Sequence, residues 1–277
     1  MITLKTRTHE VELKWWTFPG GERNVKIIDI GDIDGRDLFV TCKFEGSNDL
    51  IDMLLLVNAI RNVEIIGSAR PDIFLDIPYF PFARQDRVMT EGEPFALQVA
   101  VQLIKACKFK TVTIMDPHSD VLAGMFEPGL LNVVPQWSLW AGKIMQNIRN
   151  RNVALVAPDA GAQKKIYKLA SLIREVSFGK VILPVINASK HRDSETGEIV
   201  KTYVNGNLDQ FEVLYVVDDI CDGGRTFIEL AKAIRERGYD KELVLCVTHG
   251  IFSKGIESLS VYDKVFAINN MNPSVNL

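Results

Sequence analysis

Apolar β-branched runs alternate with segments of helical period along the whole chain. "VKIIDI" (25–30) and "DLFVTCKF" (37–44) predict early strands. "SNDLIDMLLLVNAIRNV" (47–63) repeats apolar residues at i, i+3, i+4 and i+7 behind Ser47, a good capping residue, and predicts a helix. Strand "DIFLDIPY" (72–79), a polar loop, helix "PFALQVAVQLIKAC" (94–107) with Pro94 in its first turn, and strand "TVTIMD" (111–116) follow. The stretch 117–136, with Pro117, Pro128, Gly129 and Pro135, reads as a domain junction. The rhythm then restarts with helix "SLWAGKIMQNIRN" (138–150), strand "VALVAPD" (153–159), helix "AQKKIYKLASLI" (162–173) and strand "KVILPVI" (180–186). A polar loop, "NASKHRDSETGE" (187–198), precedes strand "FEVLYVVDD" (211–219), helix "RTFIELAKAIRERG" (225–238) and strand "ELVLCVTHG" (242–250).

Near-continuous hydrophobic strands alternating with helices mean mostly parallel sheets covered on both faces. The expected fold is α/β, two tandem domains over 1–135 and 136–277, consistent with 277 residues being long for a single domain. A net charge of −3 argues against a nucleic-acid or membrane-surface partner, so positive charge for an anionic ligand must be gathered locally. No apolar run approaches the ~20 residues of a membrane span, and the N-terminus lacks a signal-peptide core. Cys42, Cys107, Cys221 and Cys246 are scattered without a C-x-x-C pair, which suggests neither zinc nor disulfides and fits a reducing cytoplasm.

Ligands of open α/β sheets bind at the carboxyl ends of strands. Those ends carry Arg84, Gln85, Asp86 and Arg87; Asp116 and His118; Asp159; Asp218 and Asp219; and His249. The stretch "YVVDDICDGGRTF" (215–227) is the most informative. Gly223 and Gly224 admit a ligand close to the backbone, and the amides opening the next helix suit a phosphate. Asp218 and Asp219 suit sugar hydroxyls, so the stretch describes a ribose phosphate; an αβ turn with an acidic cap is the plain alternative.

"VVDDICDGGRT" resembles the diphosphate-sugar motif of the phosphoribosyltransferase fold. "PYFPFARQDR", "IMDPHS", "APDAGAQKK" and "THGIFSKG" are similar, in order and spacing, to motifs of the ribose-phosphate diphosphokinases, the phosphoribosyl diphosphate (PRPP) synthetases, across Phe18–Gly255. The resemblance implies two phosphoribosyltransferase-like domains that hold Mg2+·ATP and ribose 5-phosphate between them. It also implies an attack by the sugar 1-hydroxyl on the β-phosphorus of ATP. By the same resemblance Arg84 and Gln85 contact ATP, His118 lies near ATP and Mg2+, and Asp159 belongs to the second magnesium site. Lys190 and Arg192 become catalytic cations on a mobile loop, Asp218 and Asp219 bind the ribose hydroxyls, and Asp222, Gly223, Gly224, Arg225 and Thr226 bind the 5-phosphate. "TFPGGERNV" is similar to an element in which Phe18 and Glu22 reach the adenine of a neighbouring subunit, implying self-association.

Three departures stand out. Gly20 replaces the usual Asn of that element. The phosphate loop, usually D-T-x-G-T, is Asp222-Gly223-Gly224-Arg225-Thr226 here, which lacks one hydroxyl and gains a long cation. That change leaves open a larger 5-substituted ribose such as ADP-ribose, serving NAD synthesis. The chain also stops at "AINNMNPSVNL", before the family's usual last strand and helix. A base-salvaging phosphoribosyltransferase would not explain "ARQD" or "PDAG". A non-catalytic relative acting as a regulator would not need Lys190 and Arg192.

Overall fold

The computed structural model describes residues 1–33, 37–63, 70–148, 151–192 and 199–276; of Asp32, 190–192 and 199–201 it describes the backbone alone. The chain divides into two compact units, Met1–Val134 and Pro135–Leu277.

The first unit runs β1 (Ile2–Lys5), β2 (Glu10–Val11), β3 (Leu13–Thr17), β4 (Arg23–Ile27), β5 (Leu38–Cys42), α1 (Asn48–Arg61), β6 (Ile73–Asp76), α2 (Ala96–Ala106), β7 (Thr111–Met115), α3 (Val121–Gly124) and β8 (Leu131–Val134). Its sheet has the order β2-β1-β5-β6-β7-β8, with β5 through β8 parallel and β1 and β2 added antiparallel at one edge. β3 and β4 form a separate antiparallel hairpin. The stretch 117–136 holds α3 and the edge strand β8, and the division between units falls near its end, after Val134. Ser47 sits at the N-cap of α1 but its hydroxyl makes no capping bond. The Asp49 carboxylate does the local work instead, accepting from the amides of Glu45 at 2.6 Å and Gly46 at 3.0 Å. Pro94 precedes α2, whose N-cap is Phe95.

The second unit runs α4 (Gln136–Asn147), β9 (Val153–Ala157), α5 (Ala160–Val176), β10 (Val185–Arg192), β11 (Ile199–Val204), β12 (Val213–Cys221), α6 (Arg225–Glu236), β13 (Glu242–Gly250) and β14 (Lys264–Asn270). The sheet order is β11-β10-β9-β12-β13-β14, all parallel except the β10–β11 pair. Every residue of β9 is buried because helices cover both faces. Leu214 and Val216 of β12 join Phe227, Leu230, Ala231 and Ile234 of α6 in one core. Val213, Tyr215 and Val217 join the α5 stripe Ala162, Ile166, Leu169 and Ile173 in the other. The three large side chains of the α6 stripe contribute roughly 4–9 kcal/mol before the loss of chain entropy.

Two sequence expectations change here. The apolar stretch 181–184 stays outside the sheet, and β10 begins at Val185 with Pro184 just before it. "NASKHRDSETGE" is not a loop over its first half: β10 continues through Arg192 and pairs with β11, placing Lys190 opposite Thr202 and Arg192 opposite Ile199. Ala188 and Val204, paired and buried, anchor that hairpin. All four cysteines are free and buried. Burial pushes the thiols of Cys42, Cys107 and Cys221 up to about 12, which makes them unreactive. Among the described residues no helix is long and apolar enough to cross a membrane.

Candidate active site

In the first unit, the polar residues gather where β6 and β7 end. The segment after β6 turns sharply at Phe82, whose φ of 58° is left-handed, and the Gln85 amide donates to the Phe82 carbonyl at 2.9 Å. This turn leaves Arg84 and Gln85 exposed and buries Asp86. Asp86 accepts from Arg87 Nε at 2.9 Å. The Arg87 guanidinium, then Ser119 and the charge of His118, hold its carboxyl below the usual range despite burial. The "DPHS" loop follows β7. At the second loop Asp116 is buried with φ of 39°, and its amide donates to the Val134 carbonyl at 2.8 Å. Such backbone is uncommon away from glycine and clusters at functional sites. His118, two residues on, is exposed.

Phe18 and Glu22 occupy the tip of the β3–β4 hairpin. The Phe18 amide donates to the Glu22 carbonyl at 2.8 Å, closing the turn. Phe18 is 47% exposed and packs edge-on against Trp16 at 5.9 Å. The hairpin is held from below by Arg23, which lies over the Trp15 ring and donates Nε to Asp52 Oδ1 at 3.0 Å. Asp52 is buried on α1, so this fork fixes the hairpin to the helix. Asp52 stands within an apolar helix face; a partner for a buried carboxylate was the available signal, but its identity was not readable.

In the second unit four strand ends contribute. Asp159, after β9, is the N-cap of α5, and its Oδ1 accepts from the Ala162 amide at 3.2 Å. Lys190 and Arg192 lie at the end of β10, and their side chains and residues 193–198, Gly197 among them, are outside the described residues. β12 runs two residues past the carboxylate pair, to Cys221. Since side chains alternate along a strand, Asp218 continues the α6 face of Leu214 and Val216, while Asp219 continues the α5 face of Tyr215 and Val217. Lys165 Nζ on α5 stands 3.9 Å from Asp219 Oδ2. Burial, then the charges of Asp219 and Asp159, raise the Asp218 carboxyl well above the usual range. The pair thus brackets the strand end rather than presenting one flat carboxylate face.

The next turn is a backbone cradle. Gly224 is the N-cap of α6 with φ of 75°, and a Cβ there would sit 2.9 Å from Leu259 Cδ2. Only glycine fits that position. The Ile228 amide donates to the Gly224 carbonyl at 2.9 Å, starting α6 directly behind it. Asp222 and Thr226 flank the turn, half-buried, and Arg225 is exposed at the first helical position. His249, buried at the end of β13, has Nδ1 3.3 Å from Asn269 Nδ2. Lys254, in the segment after β13, lies against Gly223. Sequence reasoning passed over it because its side chain acts from a separate strand end. Among the described residues no group of three or more His, Cys, Asp or Glu gathers to hold a metal. A hard ion that keeps its waters and takes phosphate oxygens needs no such cage.

Residues 1–107 match the profile described as the N-terminal domain of ribose phosphate pyrophosphokinase, and residues 138–275 match that of the phosphoribosyl transferase domain. A ribose-phosphate pyrophosphokinase of Pyrococcus furiosus is 29% identical over 99% of this chain and 90% of its own length. One from Thermosipho africanus is 28% identical over 93% of this chain and 77% of its own. The crystal structure of phosphoribosylpyrophosphate synthetase from Mycobacterium smegmatis superposes with a TM-score of 0.74 over 93% of this chain and 86% of that one, at 22% identity, and shows the same fold.

Proposed function

Because the chain belongs to the ribose-phosphate pyrophosphokinase family, we propose that it moves the β,γ-diphosphoryl group of magnesium-bound ATP to the 1-hydroxyl of ribose 5-phosphate, giving PRPP and AMP. The observation that carries this reading is the carboxyl edge of the second unit's sheet. There the Asp218–Asp219 pair and a glycine-pinned phosphate cradle follow one another on a single strand-to-helix turn.

The sugar 1-oxygen forms a bond to the β-phosphorus, the bond from that phosphorus to the α,β-bridging oxygen breaks, and AMP carries the bridging oxygen away. The hydroxyl proton is released. The protein contributes position and charge. Asp218 and Asp219 accept hydrogen bonds from the ribose 2- and 3-hydroxyls; the amides opening α6, with Thr226, hold the 5-phosphate at the positive end of the helix. Asp222, Gly223 and Arg225 complete that loop. Arg84 suits a polyphosphate through its planar fork, and Gln85 and His118 stand beside it on the same carboxyl edge of the first unit. Lys190 and Arg192 supply positive charge to the transferred group. Magnesium, when bound, would neutralise the triphosphate, with Asp159 and His118 as the residues offered to it or to its waters.

Phe18 and Glu22, an aromatic ring and a carboxylate raised on an exposed hairpin tip, suit the adenine of a second copy of the chain. The active enzyme is then a self-associated one. Arg225 favours a second reading of the acceptor, a larger 5-substituted ribose such as ADP-ribose, by the same transfer. Purified protein incubated with ATP, magnesium and ribose 5-phosphate releases AMP on this account. A base-salvaging transferase would instead consume PRPP and a nucleobase without ATP, and a non-catalytic regulator would release AMP from no acceptor.

A further inference from the structure

The phosphate loop carries two departures, Gly223 and Arg225, and the first of them meets a lysine from another strand end. At Gly223 the side chain is missing, and the position its Cβ would take lies 3.5 Å from both Cδ and Cε of Lys254. The Lys254 stem therefore passes within van der Waals contact of position 223. The segment bearing Lys254 is fixed, not loosely draped. The amides of Ile251 and Phe252 both donate to the Cys221 carbonyl, at 2.8 and 3.2 Å, and buried Phe252 accepts from Asn272 Nδ2 at 2.9 Å and from the Gly255 amide at 2.9 Å. Cys221 is the last residue of β12, so these bonds lock the Lys254 segment to the start of the cradle itself.

Among the described residues neither Lys254 nor Arg225 makes a hydrogen bond or ion pair, and both are exposed. Arg225 stands at the first position of a 12-residue helix, where the helix dipole already supplies positive potential and a cation is unfavourable without an anion. Two such cations from separate strand ends, beside a cradle that takes one phosphate, exceed the need of a monoester.

We infer that Arg225 and Lys254 form a second phosphoryl subsite beside the cradle, which selects an acceptor ribose carrying a diphosphate on C5. This rests on the second acceptor reading given above, the larger 5-substituted ribose, in place of ribose 5-phosphate, and the reacting 1-hydroxyl is unchanged. The amides of α6 hold the phosphoryl group attached to C5, and the two cations hold the one beyond it.

The test measures kcat/KM for AMP release with ribose 5-phosphate, ribose 5-diphosphate and ADP-ribose, beside calorimetric binding of each acceptor without ATP. The wild type favours both diphosphate acceptors by about tenfold or more, the scale of one charge-assisted hydrogen bond. Lys254→Met keeps the stem over Gly223 and removes the charge, so the ratio of diphosphate to monophosphate acceptor falls by about tenfold. Gly223→Thr adds a hydroxyl and a methyl beyond a Cβ already in contact with the Lys254 stem, displaces the stem, and lowers the same ratio while thermal unfolding reports that the fold persists. A wild-type preference for ribose 5-phosphate, or a Lys254→Met effect equal on all acceptors, overturns the subsite. AMP from no acceptor overturns the transfer reading instead, and calorimetry with ribose 5-diphosphate against ribose 5-phosphate still decides the subsite. Equal behaviour of ribose 5-diphosphate and ADP-ribose assigns the selection to the diphosphate; a large advantage of ADP-ribose alone contradicts it.

Discussion

Gly224→Ala probes the cradle through two separable costs. An alanine at φ of 75° occupies the left-handed region, at about 1–2 kcal/mol. Its Cβ would also lie 2.9 Å from Leu259 Cδ2, and Leu259 is buried, so the crowding adds roughly 1–3 kcal/mol. The variant should lose about 2–5 kcal/mol in urea unfolding of the second unit, with the slope against denaturant unchanged. Leu259→Ala alone should cost about 2–5 kcal/mol as a cavity. The double variant should be less destabilised than the sum, by roughly the 1–3 kcal/mol of crowding, because the smaller residue at 259 removes the clash and leaves the backbone strain. The KM for ribose 5-phosphate should rise in Gly224→Ala as the amides of α6 shift. Strict additivity, or a neutral Gly224→Ala, refutes the claim that Leu259 and the left-handed turn hold the cradle in place.

Asp218→Asn should stabilise the ligand-free protein while weakening acceptor binding. A carboxyl whose folded pKa is raised favours the folded state when protonated, and that contribution is lost as pH rises from the unfolded value through the folded one. The variant should therefore gain ~1 kcal/mol, or about 2–4 °C in Tm, at pH 8 but little at pH 4, and equal Tm shifts at both pH values would count against the buried acidic pair. Lys190→Ala should lower kcat by about 10³-fold with ATP binding retained in calorimetry. A turnover within tenfold of wild type removes Lys190 from the catalytic groups.

The alternation of apolar strands with helices made the tandem α/β architecture legible, because parallel strands buried on both faces read as continuous hydrophobic runs, as β9 and β12 do. The same logic failed for 181–184 and 187–192. There β10 and β11 pair antiparallel at the sheet edge, with Ser189 and Tyr203 exposed and the paired Ala188 and Val204 buried in the core. Asp159 illustrates how a local rule and a functional one coincide: it caps α5, as an acidic residue after a strand commonly does, and also stands at the carboxyl edge of the sheet. At the next turn Gly224, not an acidic residue, takes the cap of α6, because the turn needs a left-handed residue. Lys165 beside Asp219, Arg23 under the hairpin and Lys254 over Gly223 were not readable, since each contact joins residues far apart in sequence. The residues Arg84, Gln85 and His118 were readable because strand-end loops keep their polar side chains outside the core.

The most direct measurement is phosphorus NMR of the products formed from ATP, magnesium and ribose 5-phosphate by the purified chain. Intact β,γ-transfer predicts AMP together with a new pair of coupled diphosphate resonances on the sugar, in equal amounts. ADP with a single phosphate on C1, or ATP left unchanged beside an acceptor shown to bind, would contradict diphosphoryl transfer.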